Sequence, residues 1–241
     1  MAKEHAQRRD EIIATAHRLF FSLGYDTCTI NDIIQEIGIA KGTFYHYFRG
    51  KQELLEALIE KLSDQILTRI NAIADDTSRS AADRLGRYFQ ESMVLKAQTP
   101  ELMVTALQTL YRPENTLLRV RMLESSNARV APVLARLIRE GTERGEFQVD
   151  DPELCGEYVI RSFATISDKA ARLILADEHD RPEAAGTIRA EYHRLFDFME
   201  WAIARLLGVE PGSITLTDRG VADEFFTALK HHRITQRETR S

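Results

Sequence analysis

Apolar residues recur along this chain at helical spacing, and no run alternates with the period of a strand. Ile12, Ala16, Leu19, Phe20 and Leu23 mark one face of a first helix, and Gly24 stands where a helix-ending glycine belongs. Thr29-x-x-Asp32 is a capping-box pattern, because the hydroxyl and the carboxylate can satisfy free N–H groups of a first turn. It opens a short helix striped by Ile30, Ile33, Ile34 and Ile37 and stopped by Gly38. After Gly38-Ile39-Ala40 a third helix is predicted over 41–49. Two short helices joined by a glycine-containing turn form the helix-turn-helix pattern. Gly50 then breaks the chain, and a long amphipathic helix runs from Lys51 to about Ile70, ending at "ADDTSRS".

The remainder also reads as helix. Residues 80–97 carry Leu85, Tyr88, Phe89 and Met93. Thr99-Pro100-Glu101 and Arg112-Pro113-Glu114 are helix starts, with proline at the first helical position. A long stretch then reaches Gly145, and Pro132 is expected to bend or restart it. Asp150-Asp151-Pro152-Glu153 opens a helix to about Ala176, and "DEHDRPEAAG" reads as a polar loop. Residues 187–207 form an amphipathic helix, "VEPGS" a turn and 218–232 a final short helix. The expected fold is all-α: a three-helix helix-turn-helix domain at 1–54 and a larger helical domain at 55–241.

Composition agrees with this. Of 241 residues, 44% are hydrophobic, enough for a core, while 12 glycines and 6 prolines leave room for long helices. The two cysteines, Cys28 and Cys155, form no C-x-x-C pair and read as buried thiols of a reducing, cytoplasmic setting. The charged start "MAKEHAQRRDEIIATA" is not expected to act as a secretory leader, and no apolar run suits a membrane span. The net charge of −5 means that an anionic partner must be met by a local patch. Residues 1–51 hold seven Lys or Arg against six Asp or Glu, a balance of +1 that leaves −6 for the rest.

On a helix turning ~100° per residue, Phe44 and Phe48 share one side of 41–49, with Tyr47 near its edge. Gly42, His46 and Arg49 fall opposite, Thr43 and Tyr45 on the flanks, and Lys41 at the N-terminal tip. In a helix-turn-helix the second helix enters the major groove with its N-terminal residues nearest the bases. Lys41 suits guanine or phosphate, and Gly42 allows close backbone approach. Thr43, Tyr45 and His46 can donate to phosphate oxygens, as can the N–H and hydroxyl of Thr29. Arg49 and Lys51 add charge.

The string "FFSLGYDTCTINDIIQEIGIAKGTFYHYFRGKQELL" resembles the N-terminal domain of TetR-like (tetracycline-repressor-like) transcriptional regulators. The family pattern falls on Phe20, Gly24, Thr29, Gly38, Ile39, Lys41, Gly42, Thr43, Phe44, Tyr45, Tyr47, Phe48 and Lys51. The resemblance covers residues 10–60 and departs at Ala40 (often serine), Ile34 (often alanine) and Tyr47 (often histidine). It implies base or phosphate contacts by Lys41, Gly42 and Thr43, and phosphate contacts by Thr29, Tyr45, His46, Tyr47 and Lys51. It also implies a homodimer on a palindromic double-stranded DNA operator, with a four-helix bundle made from 152–176 and 187–207 of each chain. The middle helices are expected to enclose a pocket for an unidentified small-molecule effector. Tyr88, Phe89, Met93, Met103, Tyr111, Met122 and Phe163 are its candidate lining, with plain core packing the alternative for each.

An all-α enzyme and a helical interaction protein without DNA binding are the rival readings. The sequence shows no H-E-x-x-H, G-x-S-x-G, P-loop or G-x-G-x-x-G, so no catalytic residue, metal or cofactor is expected.

Overall fold

The computed structural model describes residues 2–25, 27–98, 100–176, 184–224, 226 and 227. They form α1 (Ala2–Leu23), α2 (Ile30–Ile37), α3 (Lys41–Tyr47), α4 (Lys51–Ala74), α5 (Ala81–Ala97), α6 (Pro100–Leu110), α7 (Thr116–Glu143), α8 (Pro152–Ala176) and α9 (Ala184–Leu206). Residues 219–224, 226 and 227 are also helical, and there is no strand among the described residues. The fold is all-α, with an N-terminal helix-turn-helix and a larger helical domain. Two compact units are resolved: residues up to Ile66 with 101–106, and 67–100 with 107 onwards. The expected loop at 177–186 lies outside the described residues except for 184–186, which belong to α9.

In the first unit, the core gathers the predicted stripes. Ile12, Ala16 and Phe20 of α1 meet Ile33 of α2, Phe44 of α3, Phe48 and the Leu54-Leu55-Leu58 edge of α4. Cys28 is fully buried among them. The third helix ends at Tyr47, two residues earlier than its pattern predicts. Phe48 is already extended, at φ −140° and ψ 130°, and its N–H closes the last turn on the Phe44 carbonyl.

In the second unit, α7 runs unbroken through Pro132, which does not restart it. Proline forfeits one hydrogen bond, about 3 kcal/mol. Around it Val130, Leu134, Leu137 and Ile138 are buried, each worth about 1.5–3 kcal/mol, so packing outweighs the lost bond. Against this stretch α8 lies very close: a Cβ built on Gly156 would sit 2.6 Å from the Ala135 backbone nitrogen. Arg84 of α5 is fully buried; its Nη1 donates to the Ala74 carbonyl at 2.8 Å, and its Nη2 lies 2.7 Å from Glu140 Oε2. Burial pushes the Cys155 thiol up to about 11.

After α9 the chain turns back. Glu200 Oε1 accepts from the Leu216 and Thr217 N–H groups at 2.8 and 3.0 Å and from the Thr217 hydroxyl. Gln90 of α5 donates to the Thr215 carbonyl, while Ile214 and Leu216 are buried. This segment ties α9 to α5, a connection that a reading of "VEPGS" as a mere turn does not contain.

Gly156→Ala should lower stability by about 1–3 kcal/mol through forced overpacking. Urea unfolding is expected to show a lower midpoint with an unchanged slope.

Candidate nucleic-acid interface

The interface is built by the turn between α2 and α3. Gly38 adopts φ +75°, ψ 33°, and its N–H closes on the Ile34 carbonyl at 2.9 Å. A side chain there would strain the backbone, so glycine fixes the angle at which α3 leaves. At the other end of α2 both halves of the capping box form. Asp32 N–H donates to Thr29 Oγ1 at 3.2 Å, and the Thr29 N–H and hydroxyl donate to Asp32 Oδ2 at 2.7 and 2.8 Å. Those two Thr29 donors, offered to phosphate by the sequence, are therefore engaged within the helix start. The Thr29 N–H, foremost, and its hydroxyl hold the Asp32 carboxyl below the ordinary carboxylate range.

Within α3 the faces divide as the helical wheel predicts, and Phe48, just past its end, keeps its ring in the core although its backbone is extended. Phe44 and Phe48 are buried at 0% and 1% exposure. Lys41, Gly42, Tyr45 and His46 are exposed, and Thr43 is half-buried. Arg49, just past the helix, donates its N–H to Glu53 Oε2 in the first turn of α4 at 2.6 Å. Thus a cation, a bare backbone, a phenol and an imidazole share one short surface, with no acidic residue in α3 itself. Such a set can donate to phosphates and base edges and offers them no competing anion.

Tyr47, ambiguous on the wheel, is half-buried against the core, and its ring meets His5 of α1 at 4.5 Å. His5 also meets the edge of His46 at 5.4 Å. Sequence reasoning missed His5, because helical periodicity within α1 carries no signal about which helix faces it. Arg9 lies over the Phe48 ring at 5.3 Å. Lys51 has a different setting from the α3 residues: its Nζ donates to the Tyr25 carbonyl at 2.6 Å and the Cys28 carbonyl at 2.9 Å, above the Tyr25 ring.

The candidate effector residues separate into groups. Tyr88 and Phe89 are buried and edge-on to one another at 5.6 Å. Phe89 meets Phe163 at 4.6 Å, and Met93 receives the Tyr192 hydroxyl at its sulfur. Tyr111 belongs to a polar cluster instead: its hydroxyl donates to Asp168 Oδ1 at 2.8 Å, beside Arg119 and Arg172. Burial, and then the bond to Asp168, raise its pKa well above the ordinary phenol. Met122 is half-buried on α7, and Met103 falls in the first unit. An open depression of about 620 Å³ lies elsewhere, between the start of α8 and the end of α9, among Leu154, Cys155, Tyr158 and Leu206.

The family model for bacterial regulatory proteins, tetR family, matches residues 12–58. The nucleoid occlusion factor SlmA of Photobacterium profundum is 30% identical over 157 residues, 63% of this chain and 78% of that protein. The chain belongs to the TetR family. It is also 26% identical to the HTH-type transcriptional repressor KstR2 of Mycolicibacterium smegmatis, over 64% of this chain and 75% of that one. A TetR-family regulator of Pectobacterium atrosepticum shares the fold at a TM-score of 0.63 and 19% identity, covering 88% of this chain and 99% of that one. This chain is a transcriptional regulator with a helix-turn-helix DNA-binding domain. No helix among the described residues is long and apolar enough to cross a membrane, and none of their His, Cys, Asp and Glu clusters is suited to a metal.

Asp32→Asn should lose the stability that the lowered carboxyl pKa supplies. A depressed folded pKa stabilises above the unfolded value of about 3.9 and loses that contribution as pH falls through the folded one. The gap in thermal midpoint between wild type and variant is therefore expected to be full above about pH 4 and to close in more acid solution.

Proposed function

We propose that this regulator is a ligand-responsive repressor that binds a palindromic operator as a homodimer and leaves it when a small-molecule effector binds. The observation that carries the DNA-binding part is the two-sided α3, with Phe44 and Phe48 buried and Lys41, Gly42, Tyr45 and His46 outward. Lys41, Gly42 and Thr43 take base edges or phosphate, and Tyr45, His46 and Tyr47 take phosphate. Residues 1–54 form the DNA-binding domain and 55–241 the effector and dimerisation domain.

Dimerisation is supported by the apolar face of α8 and α9. Leu154, Tyr158, Phe198 and Trp201 are 65%, 62%, 61% and 49% exposed, and Phe198 stacks on Trp201 at 5.9 Å. Large apolar side chains clustered in water favour a partner surface. The depression beside Leu154, Tyr158 and Leu206 is read as part of that face. A dimer sets two reading helices ~34 Å apart, one turn of DNA. For the effector, the packed rings of Tyr88, Phe89 and Phe163 with Met93 are the proposed apolar lining. A ligand that binds the DNA-incompetent arrangement more tightly shifts the population away from DNA.

Lys41→Ala and Tyr45→Ala should each weaken DNA binding about tenfold or more, while sedimentation still finds a dimer. Phe198→Glu should instead shift sedimentation toward monomer. Purified dimer that retards no promoter DNA at low salt would favour the interaction-protein reading.

A further inference from the structure

Lysine is an unexpected residue at the first position of α4. The start of a helix carries partial positive charge and favours acids, so a cation there needs other partners. Lys51 has them. Its ammonium donates to the carbonyls of Tyr25 and Cys28 at 2.6 and 2.9 Å and lies 4.4 Å above the centre of the Tyr25 ring. These groups belong to the connection between α1 and α2. That connection is anchored on both sides: the Tyr25 ring meets Phe20 edge-on at 5.1 Å, and Cys28 is fully buried in the core. Cys28 also closes a turn on the Gly24 carbonyl at 3.0 Å.

We propose that Lys51 is a positioning residue: its ammonium clamps the α1–α2 connection to the start of α4, and it governs DNA affinity through the placement of α2 and α3 rather than by touching phosphate. An ammonium has three N–H donors, and two converge on carbonyls from opposite ends of one turn. Turning them to a phosphate would take these donors from the part-buried Tyr25 and Cys28 carbonyls, at the cost of two charge-assisted hydrogen bonds. Helix α3 follows α2 through three residues and precedes α4 by three. A shift of the α2 start relative to Lys51 therefore moves the reading surface. This assignment rests on the DNA-binding reading and departs from the phosphate contact that the family resemblance implies.

The test compares Lys51→Met, Lys51→Arg and Lys41→Met with the wild type on one duplex, selected in vitro by the wild-type protein from a random pool. Binding is measured by fluorescence anisotropy across a salt series, at a temperature where circular dichroism finds every variant folded. Both Lys51 variants are expected to lose affinity about tenfold with the salt slope of the wild type. Arginine keeps the charge and is an excellent phosphate partner, but its planar fork cannot replace a compact ammonium held between two carbonyls above a ring. Lys41→Met, which removes an exposed cation from the reading helix, should flatten the slope by about 0.9. A slope flattened by about 0.9 in Lys51→Met, with Lys51→Arg near wild type, would overturn the assignment in favour of a phosphate contact. Unchanged affinity in both Lys51 variants, with only a lower melting temperature, would overturn it in favour of a purely structural role. If the wild type itself selects no duplex, the DNA-binding reading fails and takes this one with it.

Discussion

Everything that α3 can present depends on the burial of Phe44 and Phe48. A helix of seven residues closes only a few hydrogen bonds and is not stable alone; isolated helices need roughly 12–15 residues to reach even marginal stability. Its order is therefore borrowed from the core of α1, α2 and α4, into which both rings are sunk to 0–1% exposure. Gly38 sets the direction from which the helix enters that core, and Phe48 ends it by turning extended while keeping its ring inside. Because the inward side is fixed by packing, the outward side is fixed as well. Lys41, Gly42, Tyr45 and His46 need no contacts of their own to face outward.

The larger unit is governed by close backbone approach and by buried polar anchors. The absence of a side chain at Gly156 lets α8 lie against Ala135 of α7. Arg84 joins the end of α4 to α7, through the Ala74 carbonyl and Glu140. A guanidinium without exposure is tolerable only with such partners. On α9, Phe196 and Met199 are buried while Phe198 and Trp201 are exposed. One helix thus serves an intrachain core and an exposed apolar face together.

Much of this was legible from spacing. The stripes of α1, α2 and α4, the capping box at Thr29 and the terminating Gly38 are local signals, and local hydrogen bonding and side-chain direction realise them directly. Of the bend or restart expected at Pro132, the restart does not occur, because its cost is local and small beside the burial of Val130, Leu134, Leu137 and Ile138, which comes from distant residues. Periodicity carries the third helix two residues past its end, since it does not register that Phe48 is extended while its ring stays in the core. Thr29 and Lys51 were visible as polar groups beside the reading helix. Their existing partners, Asp32 and the Tyr25 and Cys28 carbonyls, were not equally visible. The first lies three residues away in a known motif, whereas the second pair lies 26 and 23 residues back.

The sequence by itself determined the all-α class, the helix-turn-helix and the two faces of α3, because each follows from the order of residues within a turn or two of helix; the family came from the resemblance of residues 10–60 to a known pattern. Only the tertiary structure decided that Tyr47 packs on His5, that Lys51 clamps the α1–α2 connection and that residues 214–217 bind α9 back to α5. Those contacts join positions far apart in the chain. No period or motif specifies them, and they exist only once the helices have been packed against one another.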